Sequence, residues 1–137
     1  LVCLAQGTTT TSIGILAALP PSTKLLVIPV LKGFDSISEM QTLAHAAQQN
    51  PHTAHLQFPF QQVQVLDNFH HGGYAKTTPE LLNFTKQFNA TNQFPIEPVY
   101  TAKALFALQD FLIESQKKAD TPPLSKKILF IHTGGVI

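Results

Sequence analysis

The sequence predicts an α/β domain with a mainly parallel sheet flanked by helices. Three observations carry that expectation. Short apolar runs alternate with helix-like stretches of about 12 residues. Lys24–Leu31 is almost wholly apolar, as a parallel strand covered on both faces must be. Most of the glycine falls in four loops that follow the apolar runs: Gln6–Thr11, Lys32–Asp35, His70–Lys76 and His132–Gly135. In parallel sheets ligands bind beyond the carboxyl ends of the strands, so these loops are where a site is expected.

Leu1–Ala5 reads as a buried strand, Gln6–Ser12 as a loop of one glycine and hydroxyl residues, and Ile13–Leu19 as the helix after it. Pro20-Pro21-Ser22 makes a turn. Lys24–Leu31 is the second strand, with Pro29 near its end because proline cannot donate to a ladder. Ser36–Gln49 is helical, Ser36 and Glu39 forming a capping box and Asn50-Pro51 the stop. Gln62–Phe69 alternates as a strand does, and His70–Tyr74 is a loop. Thr78 caps a helix with Pro79 in its first turn, running to about Asn89. Pro95–Pro98 is extended, and Tyr100 to about Lys118 is a helix with Leu105, Leu108 and Leu112 at core spacing. Pro122-Pro123 breaks the chain before a last strand, Lys127–Ile131. A start inside one apolar strand and an end just after another fit a segment of a longer protein.

Composition narrows the function. The 137 residues are 44% hydrophobic and 12% charged, with a net charge of +1, which fits a buried core in one domain or part of one. All nine basic residues are lysines and they are scattered. Without arginine there is no bidentate anion clamp and no basic stripe for nucleic acid. No apolar run approaches the roughly 18 residues of a membrane span, and no basic signal-peptide start is visible. A cytoplasmic location is therefore expected, without a membrane partner. The single cysteine, Cys3, is expected to be a core thiol.

The strand–loop–helix unit at Leu1–Leu19 can hold a phosphate, because Gly7 admits close backbone approach while N–H groups and Thr8, Thr9, Thr10 and Thr11 donate. The same residues would also make an ordinary capped helix start. In His70-His71-Gly72-Gly73-Tyr74-Ala75-Lys76, tandem glycines precede a phenol that can project into a site. The two histidines lack the third ligand that zinc requires, so no metal is expected. Tyr100 stands at a loop-to-helix junction, where it can stack on a ring or exchange a proton. The His70–Lys76 stretch could equally be a glycine-rich turn with surface histidines, and Tyr100 a helix-capping tyrosine packed on the core. In Ile131-His132-Thr133-Gly134-Gly135 the Thr133 hydroxyl can bond a heterocyclic nitrogen, and His132 is expected to bond the backbone or turn inward.

Taken together, Gly7-Thr8-Thr9-Thr10-Thr11, Pro29–Gly33, Gly72–Lys76, Pro98–Lys103 and Phe130–Gly135 resemble, in order and spacing, the carboxyl-terminal part of the 1-aminocyclopropane-1-carboxylate deaminase and D-cysteine desulfhydrase family. These are pyridoxal-phosphate enzymes of fold type II, the tryptophan synthase β-like fold. The likeness implies that residues 1–137 are the carboxyl-terminal part of the cofactor-binding domain. The amino-terminal half, with the Schiff-base lysine, would be absent, leaving this segment alone inactive. It implies that Gly7, Thr8, Thr9, Thr10 and Thr11 hold the cofactor phosphate, that Tyr100 lies against the pyridine ring, that Tyr74 faces the substrate and that Thr133 bonds the ring nitrogen. Thr101, by the same likeness a cofactor-binding residue, stands where cyclopropane-opening members carry a glutamate serving that nitrogen. A neutral hydroxyl does not keep the nitrogen protonated, which suits β-elimination from a D-cysteine-like substrate, giving pyruvate, sulfide and ammonia, better than ring opening to 2-oxobutanoate. A small amino-acid substrate and a homodimer are implied for the whole enzyme. A non-enzymatic phosphate-binding module shares the first loop but has no need of both tyrosines, and a folded remnant without chemistry is the third reading.

Overall fold

The computed structural model describes residues 1–117 and 127–134. Four strands form one sheet: β1 (Val2–Gln6), β2 (Leu25–Pro29), β3 (Val63–Val65) and β4 (Leu129–Ile131). Their order is β3-β2-β1-β4, and every pairing is parallel. The helices are α1 (Thr10–Ala17), α2 (Ser36–Gln49), α3 (Pro79–Thr91) and α4 (Thr101–Lys117). The expected architecture is the observed one.

Alternation along the strands builds the two layers. Cys3 and Ala5 of β1, with Leu26 and Ile28 of β2, pack against Ala104, Ala107 and Leu108 of α4. Leu4, Leu25 and Val27 face the other way, onto Ile13 and Leu16 of α1 and Met40 and Ala44 of α2. Both central strands are therefore apolar on both faces, each buried leucine contributing about 1.5–3 kcal/mol. Behind α4, Leu81 of α3 and Ile96 join Ala102 in a third cluster, with Phe84 and Phe88 at its edge. No helix among the described residues is long and apolar enough to cross a membrane.

Pro29 closes β2, in register with Gln6, and the next amide, Val30 N, donates to the Gln6 carbonyl at 2.9 Å. The proline thus sits in a central strand at the one place that costs no ladder bond. Several boundaries move. α1 begins at Thr10, three residues before the expected Ile13, so Thr10 and Thr11 belong to its first turn. α2 is capped by Asp35, whose carboxylate accepts from Ser38 N. Ser36 is instead inside the helix, buried, with a hydroxyl that has no partner. Of the expected strand Gln62–Phe69, only Val63–Val65 pairs, because β3 is an edge strand and Asp67–Phe69 turns helically. α3 runs to Thr91 with Thr78 as its cap, as expected at its start. The break at Pro122-Pro123 and the second glycine of Gly134-Gly135 lie outside the described residues.

Cys3 shows what this burial does to chemistry. It is wholly enclosed, and burial pushes its thiol up to about 12. The thiolate is the reactive form, so the folded chain is expected to resist iodoacetamide at neutral pH and to be alkylated only as fast as it unfolds. Rapid labelling of the native chain, read by mass spectrometry, would contradict that enclosure.

Candidate active site

All four strands point the same way, so the loops that follow them gather at one end of the sheet. The first, Gly7–Thr9, leads from β1 into α1. Thr9 occupies the cap position of α1 but makes no side-chain bond to the first turn. Amides at a helix start have no partner within the helix, and here no capping side chain takes them. Thr8, Thr10 and Thr11 are exposed around them, while Thr9 is buried. The result is a set of N–H and O–H donors at a positive helix end, open to an anion. Gln6, just before it, is buried and bonds Ser12 through Nε2, leaving Oε1 without a partner.

Tyr100 closes over this loop. A β-carbon on Gly7 would lie 3.1 Å from Cε1 of the Tyr100 ring and 3.5 Å from its hydroxyl. That is tighter than a normal contact, so glycine is what lets the aromatic ring lie on the loop backbone. Tyr74 meets Tyr100 edge-on, with ring centroids 5.9 Å apart. Tyr74 is 56% exposed, whereas Tyr100 is half-buried. Burial first, and the neighbouring Tyr74 hydroxyl next, hold the Tyr100 phenol above its ordinary value. Tyr100 is thus a neutral donor at physiological pH. The structure brings Gly7, Tyr74 and Tyr100 together from three separate segments.

The segment bearing Tyr74 is unusual in backbone. His71, Gly72, Gly73 and Ala75 all have positive φ, at 51°, 99°, 119° and 54°. Two of the four are not glycine, and each such residue costs about 1–3 kcal/mol unless its surroundings enforce it. The enforcement is visible. Gly72 N donates to His70 Nδ1, His71 Nδ1 meets Thr78 Oγ1 at 3.1 Å, and Gly73 N donates to the His70 carbonyl. His71 also sets its ring edge-on to Phe106, centroids 5.2 Å apart. Burial, then the Lys103 charge, lowers the His71 pKa. Both histidines therefore shape the loop.

Two residues to which the motifs gave no role do much of the positioning. The Glu97 carboxylate accepts from the amides of Val99, Tyr100 and Thr101 at 2.6, 2.9 and 2.8 Å, so it caps α4 and fixes Tyr100. A carboxylate just ahead of a helix start was the available signal. Lys103 is completely buried and donates from Nζ to the Gly73 carbonyl at 2.7 Å. Burial lowers its pKa, partly offset by the charge of Glu97.

Thr101 is not brought to the cluster. It is fully buried, and its hydroxyl accepts from Glu97 N at 2.9 Å and lies 3.2 Å from Glu97 Oε1. Its geometry is that of a helix-start residue bound to Glu97. Thr133 is exposed just beyond β4, which pairs with β1 up to Leu4–Ile131. His132 bonds the Pro95 carbonyl at 3.0 Å through Nε2, the backbone role expected of it. A cleft of about 450 Å³ opens at the carboxyl ends of β2 and β3, bounded by Gly33, Asp35, Asp67 and His70. Neither tyrosine lines it.

No family model matches the chain. Among relatives, a protein of Pyrococcus furiosus named for 1-aminocyclopropane-1-carboxylate deaminase is 30% identical across 98% of this chain. A D-cysteine desulfhydrase of Yersinia pestis is 29% identical over the same share. A bifunctional protein of Arabidopsis thaliana, named for both activities, is 37% identical over 65 residues, 47% of this chain and 15% of its own. A crystal structure of an ACC deaminase homologue superposes with a TM-score of 0.80 at 25% identity, over 98% of this chain. The chain spans 39% of the length of the Pyrococcus furiosus and Yersinia relatives and of that crystal structure. With sequence likeness along nearly its whole length and the same fold, the chain belongs to the 1-aminocyclopropane-1-carboxylate deaminase and D-cysteine desulfhydrase family.

Proposed function

We propose that these residues are the carboxyl-terminal part of the cofactor domain of a pyridoxal-phosphate lyase. The full enzyme would act on D-cysteine or a close analogue, releasing pyruvate, sulfide and ammonia. The observation that carries this reading is the juxtaposition of an uncapped, threonine-rich helix start with the Tyr74–Tyr100 pair, Tyr100 lying on Gly7. The donor set fits a phosphate, and the adjoining aromatic face fits a heterocycle. When bound, pyridoxal phosphate supplies an electron sink for bonds broken at the α-carbon of an amino acid.

The chain's own residues do the rest. Gly7, Thr8, Thr9, Thr10 and Thr11 hold the phosphate through backbone and hydroxyl donors. Tyr100 packs against the ring, kept neutral by its surroundings. Thr133 offers a hydroxyl to the ring nitrogen. Tyr74, the more exposed phenol, gives a proton to the leaving sulfur, which departs as hydrogen sulfide. Support for elimination over ring opening comes from Thr133, a neutral hydroxyl, as the group offered to the ring nitrogen. Thr101 is bound to Glu97, and the carboxylate of Glu97 is engaged by three backbone amides. We also propose that the covalent lysine lies outside these residues and that the whole enzyme is a cytoplasmic homodimer.

The test is to load the full-length protein with pyridoxal phosphate and supply D-cysteine and 1-aminocyclopropane-1-carboxylate in turn. Sulfide and pyruvate from D-cysteine are expected. Formation of 2-oxobutanoate from the cyclopropane amino acid alone would replace this reading with ring opening. No change in the cofactor's absorbance with either substrate would leave the phosphate-binding module.

A further inference from the structure

Lys103 holds neither phosphate nor ring in that proposal, yet it is among the most enclosed side chains of the chain. It sits in α4 three residues after Tyr100, between Ala102 and Ala104, both also buried. Its Nζ makes one hydrogen bond, to Gly73 O, and no ion pair among the described residues. Taking an ammonium out of water is costly, and one carbonyl repays only part of it. An apolar side chain of similar length would fill the same volume without that cost. What the charge gains is directional, since it reaches across from α4 to the one loop of the site built from left-handed backbone.

Gly73 is where such a bond has most leverage. It is buried, its φ is +119°, and a β-carbon there would touch Lys32 Cβ at 3.4 Å. Its carbonyl also accepts from Lys76 N, which closes the turn around Tyr74 and Ala75. Tyr100 and Lys103 lie one turn apart on the same helix face. One segment therefore supplies both the aromatic wall and the tether of the loop that meets it.

We propose that Lys103 is a positioning residue: its bond to the Gly73 carbonyl holds the His70–Lys76 loop and so places Tyr74 edge-on to Tyr100. The role given to Tyr74 rests on the proposed function, whereas the tether does not. In the full chain, Lys103→Met keeps the length and removes the donor. Hydrogen exchange of the amides at Gly73 and Lys76 is expected to rise about ten- to a hundredfold, the loss of one hydrogen bond to a charged group. Exchange in β1, β2 and α3 is expected to stay unchanged. In the loaded full-length enzyme kcat falls while affinity for pyridoxal phosphate is retained.

Unchanged exchange in the loop would overturn the tether, and a rise spread evenly over the sheet would reduce Lys103 to a core residue. Should the variant not fold, nitrogen-15 labelling of the lysines in the native chain decides. A slowly exchanging ammonium coupled to the Gly73 carbonyl carbon is expected, and its absence overturns the proposal. Failure of the native protein to bind pyridoxal phosphate would defeat the proposed function while leaving the exchange result standing.

Discussion

Glu97→Ala is expected to destabilise the chain by about 2–3 kcal/mol, seen as a fall in melting temperature of roughly 10 °C. The size follows from what one carboxylate does. It takes the amides of residues 99, 100 and 101, three donors that α4 cannot satisfy internally, and it touches the Thr101 hydroxyl as well. Alanine leaves those amides to water they reach poorly, since Thr101 is fully buried. Glu97→Gln keeps an acceptor without the charge and is expected to lose about half as much, because bonds to charged acceptors are roughly twice as strong. The same loss reaches the site. Tyr100 is the second of the three anchored amides, so its ring should leave the Gly7 loop before the helix itself melts. A melting temperature unmoved in Glu97→Ala would mean that the cap is ornamental and that packing alone sets Tyr100.

How far the sequence revealed this arrangement depends on whether each signal was local. β1, β2, α2 and α3 were legible because continuous apolar runs and caps such as Thr78-Pro79 are written along one segment. β3 was overextended because its edge position, and hence its brevity, is settled by what lies beside it. The Gly7–Thr11 loop and Tyr74 were legible as the contents of strand-end loops, which a parallel sheet must bring to one end, and Tyr100 as a residue at a loop-to-helix junction. The burial of Thr101 was not legible, because adjacency in sequence is not adjacency in space. Successive helical residues point about 100° apart, so a Tyr100 turned to the loop sends Thr101 into the core. Lys103 gave no local warning, since a lysine in a helix ordinarily faces water. Only the buried run Thr101–Ala104 around it identifies its direction, and that run is a fact of packing.

The tyrosine pair yields the sharpest expectation about chemistry. In the proposed enzyme, Tyr74→Phe should lower kcat by about a hundredfold or more, with KM little changed, because a positioned proton donor is worth that much and a phenyl ring keeps the packing. Tyr100→Leu should instead weaken pyridoxal phosphate binding by up to about tenfold, the worth of an aromatic contact. The two substitutions thus separate proton transfer from ring contact. A titration of the phenols supplies a check independent of turnover. Burial and then the Tyr74 hydroxyl raise the Tyr100 pKa. Tyr74→Phe removes the second cause and leaves the first, so Tyr100 should form phenolate at lower pH than in the parent chain, though still above an ordinary tyrosine. That shift is read as ultraviolet absorbance on the alkaline side. A titration in which Tyr100 does not respond would mean that the two hydroxyls do not communicate. A Tyr74→Phe enzyme with full turnover would mean that the proton of the leaving group comes from elsewhere.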